Sequence, residues 1–355
     1  MTPVSSPRPI RLLIAEDSRT QSIMLAMILE ESGGFDLVGI APDGVAAVEM
    51  AMAMKPDIIL MDCHMPRANG FEAARRIMEA CPTPIVMISS TASETEQVYS
   101  FEAVKVGALA FLGKPGSFDA PEHEEQRRAL VDTLHIMSEV KVVRRLQVQV
   151  KERIVKERES ATVPMLYAIA GSTGAPGVLV DILSSSVQPA APVLVVQHMA
   201  RGFVEGFAKW MEGMLHFPVA VARQGERARS GQVYLAPDDL HLGIDHHGCI
   251  QLADAPPEEG FRPSADYLFR SVAAAYGRQA LGILLSGMGR DGAAGLKVIR
   301  DAGGTTAVQD EASSVVFGMP GVAVALGAAQ HVLPPAGLAR LMQPGKSSDG
   351  GGHDD

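Results

Sequence analysis

The residues of this chain that could do chemistry collect in two groups. The later group is Ser172, in the turn Gly171-Ser-Thr-Gly174, with His198 and Asp291 further along. A serine hydroxyl becomes a nucleophile when a base takes its proton, and imidazole suits that task near neutral pH. A carboxylate can then orient the imidazole. The earlier group is Glu16, Asp17, Asp62, Ser89 and Lys114. Three clustered carboxylates cannot all stay ionised without a cation among them, and hard oxygen donors suit Mg²⁺. A nearby lysine can hold an anion as a point charge.

Both groups fall where an α/β sheet would place them. The hydrophobic pattern predicts strands over 10–15, 35–40, 57–62, 84–89 and 108–112, with helices over 21–31, 44–54, 70–80 and 94–106 between them. Such alternation predicts a doubly wound parallel sheet, whose ligand site lies beyond the carboxyl ends of the strands. Glu16-Asp17, Asp62, Ser89 and Lys114 sit at those ends. From Pro121 to Ser160 the composition turns to Glu, Arg, Lys and Gln among aliphatics, and Ile136, Val140, Val143, Val150 and Ile154 make a helical stripe. This predicts a helical linker over 119–162, either packed along one domain or pairing as a short coiled coil. The packed reading is favoured because the stripe is short.

A second α/β pattern follows over 163–343. Strands are predicted over 165–170, 191–197, 219–222, 232–236, 281–285 and 304–309, with a hairpin over 241–253. Helices are predicted over 202–215, from Arg262-Pro-Ser-Ala-Asp266 to Tyr276, and over 295–302. In the turn after the first of these strands, Gly171 and Gly174 permit a sharp bend. Ser172 or Thr173 could cap the next helix, and Pro176 suits its first turn. A serine so placed stands beside backbone N–H groups, which suits either a nucleophile with an oxyanion hole or a phosphate ligand. The spacing of Gly171, Gly174 and Gly177 faintly resembles a dinucleotide loop. That loop needs an acid at the end of the next strand, and here the strand ends in Gln197-His198. A histidine there suits base chemistry better. Alone, Ser172, His198 or Asp291 would be a cap, a core histidine or a turn aspartate. Together at strand ends they favour a serine hydrolase. His241, His246 and His247 are expected on the hairpin surface rather than as zinc ligands, since no second ligand cluster has metal spacing.

Composition narrows the classes. The 355 residues are 47% hydrophobic and 20% charged, enough for two buried cores. A net charge of −10 argues against nucleic-acid binding. The N-terminus lacks the apolar core of a signal peptide, and three scattered cysteines make no disulfide framework, so a cytoplasmic location is expected. The uncharged run 312–330 contains Ser313, Ser314, Gly318, Pro320, Gly321 and Gly327, which predicts loops and a packed helix rather than membrane insertion. The tail, 344–355, is expected to be disordered.

Residues 10–118, with the acidic pair, Asp62-Cys-His-Met-Pro66, Asn69-Gly70 and Lys114-Pro115, resemble the receiver domain of two-component response regulators, so the first domain is assigned to 1–118. The resemblance implies that Asp62 is the phosphoacceptor and that Glu16, Asp17, Asp62 and the Cys63 backbone carbonyl bind Mg²⁺. It further implies that Ser89 and Lys114 contact the phosphoryl group and that Phe111 is the aromatic switch. His64 stands where many relatives carry an acid, which bears on autodephosphorylation. Gly171-Ser-Thr-Gly174, Gln197-His-Met199, Ala236-Pro-Asp-Asp-Leu-His241, Arg262-Pro-Ser-Ala-Asp266, Ser286-Gly-Met-Gly-Arg-Asp-Gly292 and Glu311-Ala-Ser-Ser-Val-Val-Phe-Gly-Met-Pro320 resemble the protein-glutamate methylesterase domain of chemotaxis response regulators. That resemblance implies Ser172, His198 and Asp291 as a catalytic triad, with Thr173 and Met288 lining the site and N–H groups near Met288 in the oxyanion hole. Ala175 replaces a glycine usual in the family, and the linker departs from the family's more flexible one. The implied activity is methyl-ester hydrolysis on methyl-accepting chemoreceptors, with deamidation of receptor glutamines as a second reaction. The implied partners are a chemotaxis histidine kinase and the receptors, and the receiver is expected to cover the triad until Asp62 is phosphorylated. The rival expectations are the same chemistry in a non-motility array, or a catalytically silent docking protein.

Overall fold

A computed structural model of the chain describes residues 8–89, 110–116, 123–139, 164–185, 188–199 and 201–343. Two units each carry their own parallel sheet. In the first, β1 (Ile10–Ala15), β2 (Phe35–Ala41), β3 (Ile58–Asp62), β4 (Ile85–Ser89) and β5 (Ala110–Gly113) run in the order β2-β1-β3-β4-β5. β3 and β4 are buried throughout, as continuous apolar runs in a parallel sheet should be. Strand order reverses between β1 and β3, so the crevice lies beyond their carboxyl ends, where Glu16 and Asp62 stand. Short polar side chains start the helices between them. Ser18 caps Arg19–Ser32, Asp43 caps Gly44–Met54, and Asn69 caps Gly70–Ala80.

The segment after Pro121 departs from the expected boundaries. His123–Ser138 is a helix, but it packs on β3, β4 and β5 of the first sheet. Leu130, Leu134 and Met137 are buried there, and the His135 ring lies 4.4 Å from that of Phe35. The first unit therefore continues past residue 118, because this amphipathic stretch supplies a face the sheet needs covered. Of the expected linker stripe only Ile136 lies in it. Val140, Val143, Val150 and Ile154 fall outside the described residues, as do the helix expected over 94–106 and the tail.

The second sheet has seven parallel strands in the order β14-β13-β12-β6-β7-β9-β8. These are β6 (Leu166–Gly171), β7 (Val193–Gln197), β8 (Val219–Val221), β9 (Val233–Leu235), β12 (Ala280–Leu284), β13 (Thr305–Gln309) and β14 (His331–Leu333), with β10 (His241–Ile244) and β11 (Ile250–Ala253) as a separate antiparallel hairpin. The chain adds β7, β9 and β8 on one side of β6, then returns to add β12, β13 and β14 on the other. The switch point is thus at β6, and Ser172 follows it. Sequence patterning missed β14 and the helix Pro335–Leu341. The strand is only three residues long and stands against two prolines. The run 312–330 holds the short helix Met319–Ala325, and no helix among the described residues is long and apolar enough to cross a membrane.

Two helices of this unit start by exchanging carboxylates. Asp291, just before Ala293–Asp301, accepts the N–H groups of Ala265 (2.7 Å) and Asp266 (3.0 Å) at the start of Ala265–Tyr276. Asp266 in turn accepts the Gly295 N–H at 2.5 Å. Each acid satisfies N–H groups that a helix start cannot pair internally. The exchange demands close approach, and a Cβ on Gly295 would stand 2.7 Å from the Asp266 carbonyl oxygen and 2.9 Å from Phe269 Cβ. Gly295→Ala should therefore cost about 1–3 kcal/mol of stability by forcing the helices apart. Urea unfolding followed by circular dichroism would read it as a lower midpoint, and an unchanged midpoint would show that the helices part freely.

Candidate functional site

The turn after β6 is short because its glycines allow it. A Cβ on Gly171 would collide with Ala175 Cβ, and Gly174 adopts a left-handed conformation (φ 82°). Gly174, rather than Ser172 or Thr173, is the N-cap of Ala175–Leu183, and no side chain caps that helix. The left-handed glycine closes the turn by backbone alone, so neither hydroxyl is spent on capping. The Ser172 backbone is fixed from three sides. Its N–H donates to the Ser286 carbonyl at 3.0 Å, and its own carbonyl accepts from Ala175 N–H (3.1 Å) and from Gln197 Nε2 (2.9 Å).

Gln197 ends β7 and joins the Ser172 turn to the next residue. Its single amide group donates to the carbonyls of both Ser172 and His198. The His198 N–H bonds the Gly171 carbonyl at 3.0 Å. Ser172 and His198 thus stand at the ends of neighbouring strands. Ser286 is held similarly, with its N–H on Gln309 Oε1 (2.9 Å) and its hydroxyl on the Thr173 carbonyl (2.8 Å). Gln197, Ser286 and Gln309 were not singled out by sequence, since an amide or hydroxyl at a strand end announces nothing until its partners are known.

His198 Nε2 lies 2.9 Å from Asp291 Oδ2. Asp291 is fully buried and also accepts from Ser264 Oγ at 2.8 Å. Burial alone would raise its pKa, but the His198 hydrogen bond and charge, with the Asp266 and Ala265 N–H groups, hold it below the ordinary carboxylate value. The buried Nδ1 of His198 has no hydrogen-bond partner among the described residues, so no bond joins it to Ser172 in this conformation. With Nε2 committed to the carboxylate, Nδ1 is the nitrogen left to take a proton. The expected trio is thus brought to one place, with His198 bonded to Asp291 and Ser172 following the neighbouring strand. Met288 is 45% exposed, and the backbone before it passes beside the serine, because a Cβ on Gly287 would stand 2.8 Å from Ser172 Cβ. Gly287 N–H is used by the Val316 carbonyl, whereas the N–H groups of Met288 and Gly289 have no acceptor among the described residues. They can serve a developing oxyanion.

His241 differs from expectation. It is fully buried rather than on the hairpin surface, because the helix Ala265–Tyr276 packs over β10. Its Nδ1 accepts the Ser264 N–H (3.2 Å) and its Nε2 donates to the Pro256 carbonyl (3.1 Å), the pattern of a neutral ring. It therefore supports the residue that supports Asp291.

At the first sheet, Glu16, Asp17 and Asp62 each offer a carboxylate oxygen within 4.8 Å of the others. Lys114 Nζ lies 2.8 Å from Glu16 and 3.0 Å from Asp62. Burial pushes the Glu16 carboxyl up and the Asp62 charge adds to it, against the opposing pull of Lys114. Burial would lower Lys114, but its two acidic partners raise it. One lysine leaves an excess of negative charge, and an all-oxygen donor set with such an excess fits Mg²⁺. The Cys63 carbonyl, expected as a ligand, accepts the Gly70 N–H at 3.0 Å. Ser89 is buried at the end of β4, and the Lys114 N–H bonds its carbonyl at 2.8 Å. Phe111 lies in β5 opposite Met87, with its side chain outside the described residues.

Comparison with known proteins matches both units to known domains. Residues 167–342 match the CheB methylesterase family, and residues 12–123 match the response regulator receiver domain. A protein-glutamate methylesterase/protein-glutamine glutaminase of Myxococcus xanthus is 44% identical over 351 residues, covering 97% of this chain and 99% of that one. One from Syntrophus aciditrophicus is 42% identical over 341 residues, covering 94% of this chain and 97% of that one.

The two exchanged acids carry opposite pH signatures. Burial, with the neighbouring Asp291 charge, raises Asp266 from its ordinary 3.8, although the Gly295 N–H opposes the shift. A raised acid is neutral at no cost below its unfolded value and destabilising once ionised above its folded one. Asp266→Asn keeps an oxygen for Gly295 N–H, so it should raise the thermal midpoint near neutral pH. The gain should shrink as pH falls through the raised value and vanish below about pH 4. A midpoint lower than the native one at pH 7 would contradict this.

Proposed function

The chain belongs to the protein-glutamate methylesterase/protein-glutamine glutaminase family, with a receiver domain ahead of its CheB methylesterase domain, and we propose that it hydrolyses glutamate γ-methyl esters on methyl-accepting chemoreceptors under control of phosphorylation at Asp62. The observation that carries this reading is the His198–Asp291 pair, 2.9 Å long and buried beside Ser172 at the switch point of the sheet. Ser172 Oγ attacks the ester carbonyl while His198 Nδ1 takes its proton. The tetrahedral oxyanion is met by the N–H groups of Met288 and Gly289. On collapse His198 returns the proton to the leaving methoxide, methanol departs, and an acyl-serine remains. His198 then deprotonates a water, which attacks the acyl carbon and restores Ser172 with a free glutamate carboxylate. Asp291 stays ionised and stabilises each imidazolium. A receptor glutamine follows the same course with ammonia leaving. Thr173 and Met288 line the approach.

In the receiver, Glu16, Asp17 and Asp62 would hold Mg²⁺, which when bound offsets the charge of an incoming phosphoryl group. A chemotaxis histidine kinase is the donor and Asp62 the acceptor. Ser89 and Lys114 contact the phosphoryl oxygens, and Phe111 reports the change. Asp62 then loses its free carboxylate and part of its bond to Lys114, which supplies the local change a switch requires.

Methanol release from methylated receptor membranes tests both halves. Ser172→Ala should lower turnover by about 10⁴- to 10⁶-fold. Asp62→Asn should keep basal turnover and lose the increase that a small phosphodonor with Mg²⁺ gives the native chain. Retained turnover in the first variant rejects the nucleophile, and retained inducibility in the second rejects the control.

A further inference from the structure

The loop 254–262 is built with more care than a connection requires. It leads from the hairpin β10–β11 to the helix Ala265–Tyr276, and it is anchored at three places. Arg262 donates to Asp254 (2.7 Å) and to the Ala255 carbonyl (3.2 Å). The buried His241 donates to the Pro256 carbonyl. Arg270 grips both oxygens of Glu258 at 2.6 Å. The loop then closes on itself, with Glu258 and Phe261 exchanging backbone hydrogen bonds of 3.1 and 2.8 Å. Glu259 and Gly260 between them both have positive φ (49° and 84°), the geometry of a tight two-residue hairpin turn. A left-handed non-glycine residue costs free energy and persists where its surroundings hold it.

What this turn presents is Phe261. Its ring lies 4.0 Å from the His198 imidazole with an interplanar angle of 2°. Phe261 itself is only half-buried, so it is no core residue, yet the His198 side chain beneath it is 7% exposed. We propose that Phe261 is a positioning residue for His198: its ring, set by the anchored loop, holds the imidazole in the orientation that commits Nε2 to Asp291 and offers Nδ1 to Ser172. This rests on the reading of Ser172, His198 and Asp291 as the reacting set. Two physical effects follow from a parallel stack. A flat ring pressed against imidazole resists the half-turn that would put carbons where Nδ1 and Nε2 stand. The π face also attracts cationic imidazolium more than neutral imidazole, so the contact strengthens when His198 takes the proton. Binding that tightens only as the reaction proceeds lowers the barrier rather than the Michaelis constant.

Phe261→Leu keeps apolar bulk over the imidazole and removes the ring, while Phe261→Tyr keeps the ring. In the full chain, Phe261→Leu should lower kcat for methanol release roughly 3- to 30-fold with KM within about twofold. Phe261→Tyr should recover most of the loss. Independently of turnover, the ¹⁵N NMR titration of His198 should move to lower pH in the leucine variant and return in the tyrosine one. Both variants keep the charged groups nearby, namely Asp291, Asp266, Arg270 and Glu258, so the movement reports the ring. A leucine variant with native kcat and native titration overturns the proposal, as does a tyrosine variant as impaired as the leucine one. Turnover surviving Ser172→Ala would reject the triad instead, and would leave the titration to judge the stack.

Discussion

The second unit depends on keeping one carboxylate ionised out of reach of water. Asp291 has no exposed surface, and an unpaired charge there would cost far more than any single contact could return. Four donors meet it: the Ser264 hydroxyl, the Ala265 and Asp266 N–H groups, and the His198 ring. Three of them belong to the first turn of one helix, where backbone N–H groups lack partners and the helix dipole favours an anion. The carboxylate thus relieves the helix start, and the helix start keeps the carboxylate charged. Neither would be stable there without the other.

Much of the surrounding architecture follows from that bond. The helix Ala265–Tyr276 must begin at Ser264, so something must hold Ser264, and the buried neutral His241 does so from the hairpin. The two helices must come close, so Gly295 can carry no side chain. The sheet supplies the remaining constraint. Ser172, His198 and Ser286 leave three adjacent strands, β6, β7 and β12, and amide side chains from Gln197 and Gln309 pin the turns that follow. Hydrogen bonds to the backbone of a turn leave its side chain free to react. Had Ser172 or Thr173 capped the helix, a hydroxyl would have been spent on structure; the left-handed Gly174 avoids that.

This division explains which parts were legible in the sequence. Polar residues at strand ends could be placed together because a parallel sheet brings strand ends together whatever else happens. Asp62, Lys114, Ser172 and His198 belong to that class, whereas Asp291 stands beyond the end of β12, just before the helix Ala293–Asp301. Ser264 could be read as the start of a helix but not as a donor to Asp291, 27 positions away. His241 was misplaced because a histidine in a short hairpin usually faces water, and only the packing of another helix buries it. Phe261 carries no sequence signal at all, since its role depends on a loop folded by Arg262, His241 and Arg270. The end of the first unit was misplaced for a simpler reason. The helix His123–Ser138 has the charged, stripe-bearing composition of a linker, and such a face is equally suited to covering a sheet.

The two units apply one electrostatic rule to opposite ends. Around Asp291 the donors match the charge, so the carboxylate is satisfied and its pKa is held down. A satisfied group resists protonation and can orient an imidazole through a reaction without taking part in it. Around Asp62 the donors fall short, with three clustered acids and one lysine, and burial, with the Asp62 charge adding to it, pushes Glu16 up. An under-compensated cluster draws in a cation and responds when the charge on one member changes. The same residue type, buried to a similar depth, is thereby made inert in one place and responsive in the other. The function proposed above, one reaction run at a controlled rate, would use both conditions, and the balance of donors to charges in each crevice is what sets them apart.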